Sequence, residues 1–149
     1  MHRDFFNGFR YAFSGIRRAI KEERNLRFHL CAAFYVYLFS LFYNFTRIEY
    51  VAITIIIGVV LALELVNSSI ERTQEKPKPY MYMTAGAVKD MAAGAVLIFC
   101  IAGVICGIIL FWDIDVFIKI YLYFKSHLIM LIPLIISLLV ARAFVFKKK

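Results

Sequence analysis

The sequence predicts an all-α integral membrane protein with one amphipathic surface helix and four membrane-spanning helices. Of its 149 residues, 62% are apolar and 19% are charged, whereas soluble domains are nearer half apolar and a quarter charged. The apolar residues form four runs of about 17 to 22 residues, and a helix of about 20 residues crosses the hydrocarbon core of a bilayer. The 18 Lys and Arg residues exceed the 10 Asp and Glu residues and flank these runs, as in membrane proteins with a positively charged inner side.

This composition excludes several classes of protein. A chain of this size buries too little surface to hide so many apolar side chains in one soluble core, so a soluble enzyme and a disordered tail are excluded. Nucleic-acid binding is excluded because the basic residues do not form the surface of a soluble module. Cys31, Cys100 and Cys106 lie inside apolar stretches, and their number and spacing provide neither a disulfide framework nor a CxxC metal site.

Residues 3–27 form the first predicted element, a helix that lies along the membrane surface. Apolar side chains share one helical face: Phe5, Phe9, Ala12, Phe13, Ile16 and Ile20. Basic side chains fall on the opposite face: Arg3, Arg10, Arg17, Lys21 and Arg24. This pattern is typical of an interfacial helix, and an anchor for anionic lipids explains it without any catalysis. The charged segment is too long to be the n-region of a cleavable signal peptide, so we expect none.

The four apolar runs are each predicted to span the membrane as a helix, because their continuous hydropathy does not suit a β-barrel. The runs are Phe28–Phe45, Tyr50–Val66, Met91–Trp112 and Leu128–Phe146. A short turn at residues 46–49 joins the first two. Residues 114–125 are predicted to lie along the outer interface before the last span, since Trp112, Tyr121 and Tyr123 are suited to the headgroup region.

Basic residues determine the predicted orientation. With a cytoplasmic N-terminus, 15 of the 18 Lys and Arg residues lie on the inner side. The three on the outer side are Arg47, Lys119 and Lys125. This asymmetry predicts a multi-pass protein with both termini in the cytoplasm.

A polar loop, Arg72–Lys89, separates the second and third runs and is the only hydrophilic segment long enough to meet a soluble ligand. It contains Pro77 and Pro79. Proline lacks an amide hydrogen and restricts the residue before it, so we expect no continuous helix through this loop.

The candidate chemistry lies between Glu64 and Glu71, at the inner end of the second run. Glu64 interrupts an apolar span, and ionisable residues at membrane depth are costly and commonly functional. Glu71 returns to the same helix face about 10 Å away, with Asn67 and Ser68 between the two acids. The deeper carboxylate can accept a proton from a lipid hydroxyl. The shallower one can hold a hard cation together with phosphate oxygens.

Three further residues are placed to join this polar stripe. Glu23 can supply a second carboxylate to the same cation, and Lys89, beside Asp90, adds a positive charge suited to phosphate. Two other interpretations stay open: polar residues that hold helices together, and a small transporter that uses Glu64 as a proton or cation site. The sequence contains no phosphate loop, no HRD or DFG kinase motif, no HExxH and no GxSxG, so phosphoryl transfer here needs a different architecture.

Three ordered motifs resemble those of the small bacterial diacylglycerol kinases and undecaprenol kinases. Glu64–Glu71, ELVNSSIE, is similar to that family's E-[IL]-[LIV]-N-[ST]-[AS]-I-E signature. Ala87–Leu97, AVKDMAAGAVL, is similar to its A-K-D-[MV]-[GA]-[SA]-[AG]-A-V-L motif, and the 18-residue step from Glu71 to Lys89 matches its spacing. Glu22–His29, EERNLRFH, resembles the E-[RA]-[NA]-[FM]-R segment in its undecaprenol kinase form. The resemblance covers roughly residues 5–112.

The resemblance implies an ATP-dependent lipid kinase of the bacterial cytoplasmic membrane, with a surface helix and three spans, that works as a homotrimer. It implies that Glu64 is the general base on the lipid hydroxyl and that Glu23 and Glu71 hold the Mg²⁺ that bridges the ATP phosphates. The other implied contacts are those of Tyr11, Lys89 and Asp90 with the nucleotide and of Arg17, Asn25 and Arg27 with the lipid.

The chain departs from the family pattern in two places. The family usually has [SP]-E-Y-H before its lysine, and Pro79–Tyr82 stands there instead, so a noncatalytic scaffold or partner subunit is the alternative to a kinase. Common family members end near the position of Trp112. We therefore expect a kinase-like membrane domain at residues 1–112 and an extension at 113–149 that carries the interfacial segment and the fourth span. The acceptor, undecaprenol or diacylglycerol, stays open.

Overall fold

The computed structural model of the protein describes residues 2–73 and 82–147, and every regular element in those residues is a helix. The α-helices are α1 His2–Glu22, α2 Arg24–Ser40, α3 Arg47–Thr73, α4 Tyr82–Phe111, α5 Ile114–Ser126 and α6 Leu131–Val145, with a short 3-10 turn at Leu128–Met130. The all-α prediction is confirmed. The prediction for Pro77 and Pro79 lies outside the described residues.

The surface helix is shorter than predicted. Helix α1 ends at Glu22, and Glu23 adopts an extended conformation (φ −99°, ψ 116°) before α2 begins at Arg24. The prediction that residues 24–27 continue the surface helix is therefore wrong. On α1, Phe13 and Ile16 are exposed, whereas Ala19 is buried against the rest of the chain. Exposed apolar side chains on such a helix are available to enter the membrane interface.

Within the part of the chain that the structure describes, three helices are long and apolar enough to cross a membrane: Arg47–Thr73, Ala85–Phe111 and Leu128–Val145. They correspond to the second, third and fourth predicted spans, although α3 and α4 continue past the apolar runs towards the polar loop. Helix α2 ends at Ser40 rather than at Phe45 and has 17 residues, which gives a length of about 25 Å. It is shorter than the other three, and the first predicted span is not among the three that length and composition support.

Close packing of α3 with α4 forms the centre of the molecule, and α2 packs against both α3 and α6. A Cβ atom on Gly103 would lie 3.3 Å from Cγ2 of Ile56, so the small residue lets α3 and α4 approach closely, as small residues commonly do in membrane helices. The hydroxyls of Tyr35 and Ser137 are 3.1 Å apart and join α2 to α6.

Aromatic residues hold the helices together at the end opposite the polar stripe. The ring centroids of Tyr43, Phe45 and Phe111 lie between 4.9 and 5.1 Å apart, and the Tyr43 hydroxyl donates to the Phe111 carbonyl at 2.8 Å. Asp113 then begins α5 by accepting hydrogen bonds from the amides of Asp115 and Val116. The predicted interfacial segment is thus a separate helix with its own N-terminal cap.

Candidate functional site

The polar stripe of α3 faces the interior of the molecule. Glu64 is 3% exposed, and Asn67 and Ser68 are each 5% exposed, whereas Val66 and Ser69 are exposed. Residues three and four positions apart share a helix face, so this burial agrees with the predicted stripe. Helix α3 therefore presents a carboxylate, an amide and a hydroxyl to its neighbours.

Glu64 lies among groups that act on its charge. The side chain of Asn25, in the first turn of α2, and the carboxylates of Glu23 and Glu71 all lie close enough to the Glu64 carboxylate to act on its charge. The ion pairs found between described residues involve Arg72 and not Glu64. Because an uncompensated buried carboxylate is costly, Glu64 does not stabilise the fold, and it is therefore a candidate for a chemical role.

Asn67 and Glu71 form the water-side end of the stripe. The Asn67 Nδ2 donates to Glu71 Oε1 at 3.1 Å, while Glu71 itself is exposed. The Asn67 Oδ1 is buried and has no hydrogen-bond partner among the residues that the structure describes. A buried acceptor without a partner costs about 1–3 kcal/mol, so this oxygen is suited to a ligand that brings a hydrogen or a positive charge.

Glu23 is brought to the same end of the molecule by Arg72, in the last turn of α3. Arg72 Nη2 lies 2.7 Å from Glu23 Oε1, and Arg72 Nη1 lies 2.7 Å from Glu22 Oε2. These pairs tie the inner end of α3 to the bend between α1 and α2. In the sequence Arg72 is one of many inner-side cations, and its position directly after Glu71 was the available signal for a larger role.

These donors fit a magnesium ion that arrives with a nucleotide. Carboxylate and amide oxygens are hard ligands of the kind that Mg²⁺ prefers. Within residues 2–73 and 82–147, no group of three or more His, Cys, Asp or Glu side chains could hold a metal. Mg²⁺ commonly takes one or two protein carboxylates and completes its coordination with phosphate oxygens and water. Glu23 and Glu71 are the two carboxylates that could meet that requirement.

The other expected contact residues are spread along three helices. Tyr11 and Arg17 are exposed on α1, and on α4 Lys89 is half-buried and Asp90 exposed. Arg27, expected at the lipid, is buried instead, and its guanidinium contacts backbone carbonyls at the ends of α1 and α6.

An apolar groove of about 450 Å³ lies between α2, α3 and α4. Its wall includes His29 and Leu61 near one end and Phe111 at the other. Leu61 lies one helical turn from Glu64, so the groove approaches the buried carboxylate. This groove could not be predicted from the sequence, because apolar residues at helical spacing predict a packed face equally well.

Comparison with known proteins decides the family. Residues 10–111 match the family model of the prokaryotic diacylglycerol kinases. The chain belongs to the prokaryotic diacylglycerol kinase family. Over 107 residues, this kinase-family chain is 36% identical to the undecaprenol kinase of Bacillus subtilis (strain 168), a match that covers 72% of the chain and 87% of that relative.

Two relatives named diacylglycerol kinase also match the chain. The protein of Haemophilus influenzae is 30% identical over 107 residues, which cover 71% of the chain and 91% of the relative. The protein of Synechocystis is 32% identical over 100 residues, which cover 66% of the chain and 57% of the relative. No solved structure matches the chain. The predicted family is confirmed, and membership supports a membrane lipid kinase without distinguishing the two lipids.

Proposed function

We propose that this protein transfers the γ-phosphate of ATP to the hydroxyl of undecaprenol at the cytoplasmic face of a bacterial inner membrane. The observation that carries the proposal is the buried Glu64 carboxylate, which forms no ion pair with the described residues and lies on α3 about 10 Å from the exposed Glu71. In this proposal the buried Glu64 acts on a group inside the membrane, and the exposed Glu71 acts on a group in water. A lipid hydroxyl and a nucleotide are the two substrates that need this separation.

In this mechanism Glu64 takes the proton of the lipid hydroxyl as the lipid oxygen forms a bond to the γ-phosphorus and the bond to ADP breaks. Asn25, whose side chain lies beside the Glu64 carboxylate, is proposed to orient it. Glu23 and Glu71 would hold Mg²⁺, which supplies positive charge against the phosphates. Phosphoryl transfer depends mainly on positioning and charge neutralisation, so these side chains suffice without a phosphate-loop motif.

The remaining contacts follow from the same arrangement. Tyr11, Lys89 and Asp90 are proposed to contact the nucleotide, and Arg17 the lipid headgroup region. We assign the apolar groove between α2, α3 and α4 to the lipid chain, because the groove passes within one helical turn of Glu64. Its wall has almost no polar side chains, as a hydrocarbon chain requires.

Undecaprenol is preferred to diacylglycerol as the acceptor for two reasons. The undecaprenol kinase of Bacillus subtilis shares 36% identity with this chain, against 30% and 32% for the relatives named diacylglycerol kinase. The segment Glu23–Arg27 also resembles the undecaprenol kinase form of its motif. We further propose a homotrimer, as in the family resemblance, with both termini in the cytoplasm because most basic residues lie on that side.

The direct test uses the full chain in detergent with radiolabelled ATP and with either undecaprenol or diacylglycerol. We expect label in undecaprenol when Mg²⁺ is present and none after chelation. Preferential labelling of diacylglycerol would overturn undecaprenol as the proposed acceptor but would leave the proposed kinase activity unaffected. Nucleotide binding without labelling of either lipid would favour the noncatalytic alternative suggested by Pro79–Tyr82. The absence of nucleotide binding and of lipid labelling together would refute the proposed kinase activity.

A further inference from the structure

Arg27 joins the ends of two helices through all of its side-chain donors. Its Nη1 donates to the carbonyls of Ile20 at 3.2 Å and Lys21 at 2.9 Å, in the last turn of α1. Its Nε and Nη2 donate to the carbonyl of Val145, the last residue of α6, at 3.3 and 3.1 Å, and Nη2 also donates to Lys147 at 3.3 Å. A guanidinium has five N–H donors, so these five hydrogen bonds leave none for a lipid.

The position of Arg27 has a clear physical basis. The last carbonyls of a helix have no partner within the helix and carry partial negative charge, and a buried cation that satisfies them is stabilised in return. Arg27 is 4% exposed and Val145 is 6% exposed. A buried guanidinium with unpaired donors is costly, so Arg27 depends on the end of α6 as much as α6 depends on Arg27.

Arg27 also spans the bend at Glu23. Its backbone amide donates to the Glu23 carbonyl at 3.3 Å, while its guanidinium holds the carbonyls of Ile20 and Lys21 on the other side of the bend. The extended conformation of Glu23 is thus held from both sides by one residue. The direction in which the Glu23 carboxylate leaves the chain follows from that conformation.

We propose that Arg27 is a positioning residue for the proposed magnesium ligand Glu23. We further propose that α6 acts as a brace, a helix that is needed to hold the Arg27 guanidinium in place. The family match ends at residue 111, so α6 lies outside it, and yet Val145 at its end and Lys147 just after it accept three of the five hydrogen bonds of Arg27. The C-terminal extension is then part of the construction of the metal site without touching ATP or lipid. The inference rests on the proposed kinase function.

The test replaces Arg27 by Lys in the full chain, with Arg18→Lys, on the exposed part of α1, as the matched control. Lysine keeps the charge but cannot bridge two helix ends with a planar fork. Mn²⁺ binding is measured by electron paramagnetic resonance with a non-hydrolysable ATP analogue, and KM is measured for the lipid. We expect Arg27→Lys to weaken Mn²⁺ binding about tenfold or more, as loss of a group that orients a metal ligand commonly does, with the lipid KM unchanged.

A second pair of variants tests the brace while Arg27 stays intact. Ser137→Phe places a large side chain where α6 meets Tyr35 of α2, whereas Ile135→Phe changes an exposed position of α6. Displacement of α6 should weaken Mn²⁺ binding in the first variant and leave it unchanged in the second. If Arg27→Lys does not fold, this pair of variants tests by itself whether α6 supports the metal site.

Two results would overturn the inference without contradicting the proposed kinase function. One is a raised lipid KM with normal Mn²⁺ binding in Arg27→Lys, which is what direct contact with the lipid predicts. The other is normal Mn²⁺ binding in both Arg27→Lys and Ser137→Phe while the unaltered protein phosphorylates lipid. An unaltered protein that labels no lipid and binds no nucleotide would instead refute the proposed function.

Discussion

Replacing Glu64 by Gln removes the proposed base with little change of shape. The glutamine retains a hydrogen-bonding side chain opposite Asn25 but cannot accept the proton of the lipid hydroxyl. General bases contribute about 10²- to 10⁴-fold to a rate, which corresponds to about 2.7–5.4 kcal/mol of activation free energy. We expect kcat for lipid phosphorylation to fall by that factor.

Nucleotide affinity should not change in the Glu64→Gln variant. Glu71 lies about 10 Å away along α3, and the Glu23 carboxylate is held by its ion pair with Arg72. The thermal unfolding temperature should stay the same or rise, because the substitution removes a buried charge that forms no ion pair with the described residues. A fall in activity together with unchanged folding and nucleotide binding would isolate the chemical step.

The assay measures initial rates of label transfer at saturating lipid, and nucleotide binding by displacement of a fluorescent ATP analogue. Glu49→Gln is the matched control at the opposite end of α3. There Glu49 accepts hydrogen bonds from Thr46 in a capping arrangement that glutamine also supports. Wild-type turnover in Glu64→Gln would show that this residue is not the base, and loss of nucleotide binding would show that its role lies elsewhere in the site.

Three further predictions test other parts of the structure. Glu71→Gln should raise the Mg²⁺ concentration needed for half-maximal activity by about tenfold or more, because it removes one of two metal carboxylates; an unchanged Mg²⁺ titration would contradict this. Ala33→Phe should fill the apolar groove and raise the lipid KM without affecting nucleotide binding, whereas Ala52→Phe, which lies outside the groove, should have no effect. Tyr43→Phe should lower the free energy of unfolding by about 1 kcal/mol through loss of its hydrogen bond to Phe111, with activity unchanged.

Much of the fold and the central part of the site could be predicted from local sequence features. Apolar length predicts spans because each helix must satisfy its own backbone in lipid, and the spacing of Glu64, Asn67 and Ser68 predicts one face because helical geometry is fixed. The bend at Glu23 could not be predicted in this way. Apolar and basic residues continue at helical spacing through residue 27, so the periodicity gives no sign of the bend. The bend is held in part by contacts with α3 and α6, which are distant in the sequence.

Arg27 shows why the role of a residue depends on its neighbours as well as on its motif. The resemblance assigned it to the lipid from its place in the Glu23–Arg27 segment. Here three of its five hydrogen bonds go to carbonyls of Val145 and Lys147, beyond the residues that match the family. In a chain that lacks α6, an arginine at this position would keep donors available for a lipid headgroup. Helix α6 therefore changes the chemistry open to Arg27 although the motif around Arg27 is retained, and sequence similarity within the motif alone cannot reveal that change.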